Sequence, residues 1–171
     1  MAYRTKTYIA ADWDGDKNAV DKLRAWNDSE KWSLSYTDAH DITQSRDGSL
    51  NCSIKASLAT RMDASKTFVL IVGSNTKSRK AGECTYCYKF ENGKCKTGHT
   101  VSNDSFIEYE CKKAVRDNKN INFIILYNAA TVDKSKCPDS IKAYGTHAPM
   151  QKMKDGKHYW DYQSVMNAMG I

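Results

Sequence analysis

Thr67-Phe68-Val69-Leu70-Ile71-Val72-Gly73 sets five consecutive apolar residues between a polar entry and a glycine. A strand of that composition has no polar face, so it must be covered on both sides, as inner strands of parallel sheets are. A second such run, Phe123-Ile124-Ile125-Leu126, lies within Ile121–Tyr127, and a shorter one closes Lys6–Ala11. Helical spacing fills the intervals. Val20, Leu23 and Trp26 recur within Asn18–Asn27, and Leu50, Ile54, Leu58 and Met62 form one stripe within Ser49–Ala64, capped by Asp47 or Ser49. Further expectations are a second strand at Trp32–Tyr36, a helix over Asn103–Asn118 and a last helix near Tyr159–Met169. Strands alternating with helices predict an α/β domain with a doubly wound, mostly parallel, flavodoxin-like sheet.

The chain has 171 residues and 19.3 kDa, which predicts one domain. No apolar run approaches the roughly 20 residues of a membrane helix, and Met1–Lys6 carries no apolar leader, so a soluble, cytoplasmic protein is expected. Net charge is +6, but Lys and Arg are dispersed from Lys6 to Lys157 with no block of five. That reads as a solvated surface, mildly favourable to nucleotide phosphates, and nucleic acid is not the expected partner.

Ligands of doubly wound sheets bind beyond the carboxyl ends of the strands, which directs attention to Asp12–Asp16, Thr37–Asp41 and Ser74-Asn75. Asp12-Trp13-Asp14-Gly15-Asp16 has the acids of a calcium loop, but Lys17 stands at its sixth position and Leu23 at its twelfth, where Gly and Glu are needed. A receiver domain would need its acceptor Asp after the third strand, where Gly73-Ser74-Asn75 stands. Neither a Gly-x-Gly-x-x-Gly fingerprint nor a Gly-Lys-Ser/Thr phosphate loop occurs.

Between the third strand and the following helix lies a long cysteine-rich insertion, about residues 77–102. Its spacing, Cys84-x2-Cys87-x7-Cys95-x3-His99, is that of a structural zinc site with an Asn92-Gly93 turn between its halves. Free thiols in a packed loop and redox chemistry are the competing readings. Cys111 is an alternative to His99 as the fourth ligand. Four protein ligands would leave no open position for catalysis.

Helix Asn103–Asn118 places Phe106, Ile107, Cys111 and Ala114 on one face, and Glu110 joins that apolar stripe. Glu108 lies on the other side and can pair with Lys112. An inward carboxylate needs partners or a task; the alternative for Glu110 is a structural side chain bound to a backbone amide.

Tyr8-Ile9-Ala10-Ala11 with its acidic loop, Phe68–Thr76, and Phe106-Ile107-Glu108-Tyr109-Glu110 together resemble TIR domains, most closely the TIR-like branch of the bacterial Thoeris anti-phage systems, over roughly residues 5–130. Phe106–Glu110 corresponds to the family's Trp-Cys-x-x-Glu, with Phe at the aromatic position. The resemblance implies a single TIR-type domain with the insertion and a C-terminal extension at about 131–171. It implies an NAD+ glycohydrolase or cyclase whose ADP-ribose-derived product signals phage infection to a separate effector, with NAD+ as substrate, Glu110 as catalytic residue and self-assembly on activation. Ala11, Asp12, Trp13, Asp38, His40, Ser74 and Phe106 would border the nucleotide. The alternative function is a non-catalytic TIR scaffold acting through self-assembly and protein–protein contacts. The aromatic-rich segment at His158–Tyr162 is read as part of a helix closing the sheet's open face, with an interface as its alternative.

Overall fold

A computed structural model describes residues 4–39, 49–117 and 120–171. Its frame is a four-stranded parallel sheet in the order β1 (Lys6–Ala10), β2 (Ser65–Val72), β5 (Asn122–Tyr127), β6 (Thr146–Pro149). The sheet is doubly wound because each strand splits its apolar residues between two faces. Tyr8, Ala10, Phe68, Leu70, Val72, Ile125 and Tyr127 point toward α2 (Asn51–Asp63) and α3 (Phe106–Asp117). Ile9, Val69, Ile71, Ile124 and Leu126 point toward α1 (Lys17–Asp28) and α4 (Tyr162–Met169). Each large apolar side chain so covered contributes about 1.5–3 kcal/mol of transfer free energy, which the ordering of the chain largely offsets. The flavodoxin-like α/β expectation holds.

The expected strand at Trp32–Tyr36 does not form. Ser35 takes a positive φ of 51°, and the Asn27 side chain bonds both the amide and the carbonyl of Tyr36, occupying the backbone groups a ladder would use. What remains among the described residues is one parallel bridge, Thr7 to Asp38, with the Thr7 amide donating to Thr37 O at 2.8 Å. It sits on the outer edge of β1, where a second flavodoxin-type strand would lie.

Helix α2 starts at Asn51, two residues later than expected: Leu50, extended, occupies the cap position without a side-chain cap, and Asp47 lies outside the described residues. The C-terminal part is more regular than expected. Beyond β6, the hairpin β7 (Gln151–Lys154) and β8 (Lys157–Trp160) precedes α4, so His158, Tyr159 and Trp160 are in a strand and not a helix. Helix α4 does close the sheet, burying Val165, with Tyr162 and Trp160 meeting Trp26 edge-on at 5.6 and 6.3 Å.

The insertion contains a 3-10 turn, Cys84–Tyr86, and a two-residue hairpin, β3 (Phe90–Glu91) and β4 (Lys94–Cys95). Its neck is closed by Phe106 N to Ala81 O at 2.8 Å and Cys84 N to Ser102 O at 2.9 Å. Gly82, at φ 101°, permits this closure, since a Cβ there would fall 2.6 Å from the Phe106 backbone and ring. Among the described residues no helix is long and apolar enough to cross a membrane.

Candidate active site

Beyond the carboxyl end of β1, the chain runs Ala11-Asp12-Trp13 along one side of a cavity of about 250 Å³. Helix α2 supplies Ile54 and Leu58, α3 supplies Phe106, Ile107 and Glu110, and the start of the insertion supplies Arg79 and Ala81. Glu110 is where its helical spacing placed it, on the inner face of α3, and it is 5% exposed. Tyr8 meets it from the sheet, because the two-residue period of β1 turns Tyr8 and Ala10 toward α3 and Ile9 away.

The Tyr8 hydroxyl donates a short hydrogen bond to Glu110 Oε1. Burial pushes the Glu110 carboxyl up to about 8, against the opposing pull of the Tyr8 hydrogen bond and the Arg61 charge. A carboxyl so held near neutrality can change its ionisation when a cationic group enters the cavity. Burial, then the Glu110 charge, raises the Tyr8 phenol well above its ordinary value, so Tyr8 remains the donor.

Asp12 is the opposite case. Its burial is outweighed by Arg79, whose Nε donates to Oδ2 at 2.7 Å, and by the amides of Gly15 and Asp14, so its carboxylate lies below the usual range. Arg79 also reaches Asp14 at 3.4 Å and keeps about a third of its side chain in solvent, at the mouth of the cavity. Trp13, 38% exposed, stands at the same mouth with the Arg24 guanidinium 5.0 Å from its ring centroid.

Behind this loop Asp16 is buried and held by Asn128 Nδ2 at 2.9 Å, and burial raises its carboxyl. Gly73 makes room for it: a Cβ on Gly73 would lie 1.9 Å from Asp16 Oδ1. The glycine ending the apolar run thus serves the loop after β1.

Of the residues expected to border a nucleotide, the cavity brings together Ala11, Asp12, Trp13 and Phe106 with Glu110. Asp38 does not line it; it binds Arg24 at 3.1 Å and so holds the cation that covers Trp13. Ser74 is exposed and lines a separate cavity beside Asn128. His40 lies outside the described residues. Arg79 and Tyr8 were not anticipated: Arg79 sits in a segment without periodicity, and Tyr8 reads as core from its strand.

Cys84, Cys87, Cys95 and His99, the expected metal ligands, all line one small cavity of about 20 Å³, joined there by Cys52 of α2. Among the described residues no three such side chains are already drawn into a metal-binding group. Cys111 is elsewhere, fully buried in the core on α3 near Cys137. All six cysteines are free thiols.

Comparisons agree with this architecture. A family model described as "Thoeris protein ThsB, TIR-like domain" matches residues 8–83, a span that holds Tyr8, Asp12, Trp13 and Arg79 but ends before Glu110. No curated protein matches the chain in sequence. Among solved structures, a metazoan TIR-STING receptor from C. gigas in complex with 2',3'-cGAMP superposes with a TM-score of 0.57 at 9% identity, covering 99% of this chain. This chain spans 40% of that receptor chain, and the likeness is one of fold. The match over residues 8–83, a little under half of the chain, makes this part similar to the TIR-like domain of Thoeris proteins, and the shared fold extends the likeness of architecture to the rest.

Proposed function

We propose that this chain is an NAD+-consuming enzyme of the nucleosidase or cyclase type, with Glu110 as its catalytic residue. The observation that carries the reading is the position of Glu110: a buried carboxyl at the wall of a mostly apolar cavity whose mouth carries an aromatic ring and a guanidinium. The cavity is at the small end of ligand sites, which suits the nicotinamide–ribose end of the dinucleotide better than the whole molecule. Trp13 offers a stacking surface, and Arg79 a cation toward which the pyrophosphate can be directed.

Nicotinamide departs with the electron pair of its bond to the ribose C1', and the pyridinium becomes neutral as it leaves. No general acid is required. The charge that develops on the ribose needs an anion nearby, and ionised Glu110 supplies it in a site of low dielectric. The pyridinium of the bound substrate favours that ionisation, and the Tyr8 hydroxyl holds the carboxylate in place through Oε1. Water then captures C1' to give ADP-ribose, or a nucleophile within the same molecule captures it to give a cyclic isomer. The apolar walls from Ile54, Leu58 and Phe106 favour the second outcome by excluding water. Reaction in ¹⁸O-water with mass analysis of the product distinguishes them, since only hydrolysis incorporates the label.

The same reading makes the product a messenger, produced on phage infection and acting on a separate effector, with self-assembly accompanying activation; the Thoeris match supports it. The rival is a TIR scaffold in which Glu110 is a structural carboxylate held by Tyr8. It predicts oligomers without NAD+ turnover.

A further inference from the structure

We propose that the insertion is folded by one zinc ion held by four thiolates, Cys84, Cys87, Cys95 and, from outside the insertion, Cys52 of α2. The proposal does not rest on the NAD+ reading.

The first support is that the lobe has no core. No residue from Glu83 to Asp104 is buried, and Tyr86 and Tyr88 are about two-thirds exposed. A hairpin of two-residue strands cannot hold itself together in water, and lobes of this kind are fixed by disulfides or metal. Its cysteines are free.

Second, the chain is already shaped as two knuckles. Cys84 and Cys87 flank a 3-10 turn closed by Cys87 N to Cys84 O at 2.9 Å. Cys95 ends β4, its sulfur 3.1 Å from the Thr97 hydroxyl and its carbonyl bound by the Gly98 amide at 3.0 Å. The Ser102 amide donates to Cys84 Sγ at 3.1 Å. Amides directed at sulfur are what a metal thiolate requires and a neutral thiol does not.

Third, Cys52 belongs to the site. It lines the same cavity and is half-buried like the other three, whereas His99 is exposed. Asn51 Nδ2 binds Glu83 O at 3.0 Å, fixing the first turn of α2 against the residue preceding Cys84. Lys55, one turn on and 7% exposed, is anchored to Asp104 O at 2.8 Å and to Ser102 Oγ at 3.2 Å, on the residue whose amide donates to Cys84 Sγ. Binding Zn²⁺ with release of four thiol protons leaves a site of charge −2, and Lys55 is the cation placed to balance it. The cavity of about 20 Å³ admits one ion, with the sulfurs closing to about 2.3 Å. Because Ile54 and Leu58 continue the same helix into the Glu110 cavity, the metal would also brace one wall of that cavity.

The test is elemental analysis of the full chain, purified under reducing conditions without chelator, with cobalt substitution and chelator competition on variants. The account expects about one zinc per chain and a tetrahedral tetrathiolate cobalt spectrum. Cys52→Ser should weaken zinc by about 100-fold and alter that spectrum, while His99→Ala leaves both unchanged. Stripping the metal should open Lys89, Lys94 and Lys96 to trypsin while the sheet stays protected. Absence of zinc from folded wild type would overturn the proposal. So would a site that survives Cys52→Ser but is lost in His99→Ala, which would assign the fourth position to His99.

Discussion

The hydroxyl of Tyr8 donates a hydrogen bond to Oε1 of Glu110 across 102 positions of sequence, tying the first strand of the sheet to the third helix. The two meet because strand periodicity turns one inward and helix periodicity the other. Replacing Tyr8 with Phe keeps the ring that stacks on Phe68 at 5.6 Å but removes the donor. Since that bond lowers the Glu110 pKa, Tyr8→Phe should move it above 8, and NAD+ cleavage should require higher pH than in wild type. The pH dependence of kcat/KM for both proteins checks this.

Glu110 also couples stability to pH. Its folded pKa, about 8, lies above the ordinary 4.5, so ionising it is easier in the unfolded chain. Below about pH 4.5 both states hold the proton and nothing is lost. Between 4.5 and 8 stability falls as pH rises, and above 8 the cost is constant. Glu110→Gln removes the cost, about 3 kcal/mol at pH 7. The variant should melt several degrees above wild type at pH 7–8 and alongside it near pH 4, as calorimetry across that range would record.

Arg79 serves Asp12 and the cavity mouth together. Without it only the amides of Gly15 and Asp14 oppose the burial of Asp12, and its carboxyl should rise from below the usual range. Under the NAD+ reading, Arg79→Gln should raise KM roughly tenfold with a smaller change in kcat, because it contacts the unreactive end of the substrate. Steady-state kinetics separates the two parameters.

Gly73 lies under the Asp16 carboxylate so closely that any side chain displaces it. Gly73→Ala should cost about 2–3 kcal/mol. Gly73→Ala with Asp16→Asn should not recover this, since Asn has the same shape; Asp16→Ala should recover part. Thermal denaturation of the variants checks the order.

Elements that bury whole faces were legible in sequence: β1, β2 and β5 from apolar runs, α1 and α3 from their stripes, and Glu110 from its place in such a stripe. The stripe Leu50, Ile54, Leu58, Met62 was legible as a helix face, though it visits the cysteine cavity, the Glu110 cavity and the core in turn. Strands β6, β7 and β8 were not, because four polar-rich residues form a strand only through the partner they meet. Residues 32–36 had strand composition and lost the strand to Asn27. Arg79 and Cys52 enter their sites by tertiary approach, which no local spacing encodes.

The most direct test is incubation of concentrated protein with NAD+, with and without lysate of phage-infected cells, followed by chromatography and mass spectrometry. The account predicts release of nicotinamide with an ADP-ribose-type product, abolished in Glu110→Gln and retained in Glu108→Gln, whose side chain pairs with Lys112. Turnover in neither condition from folded wild type, or equal loss in both variants, would contradict it.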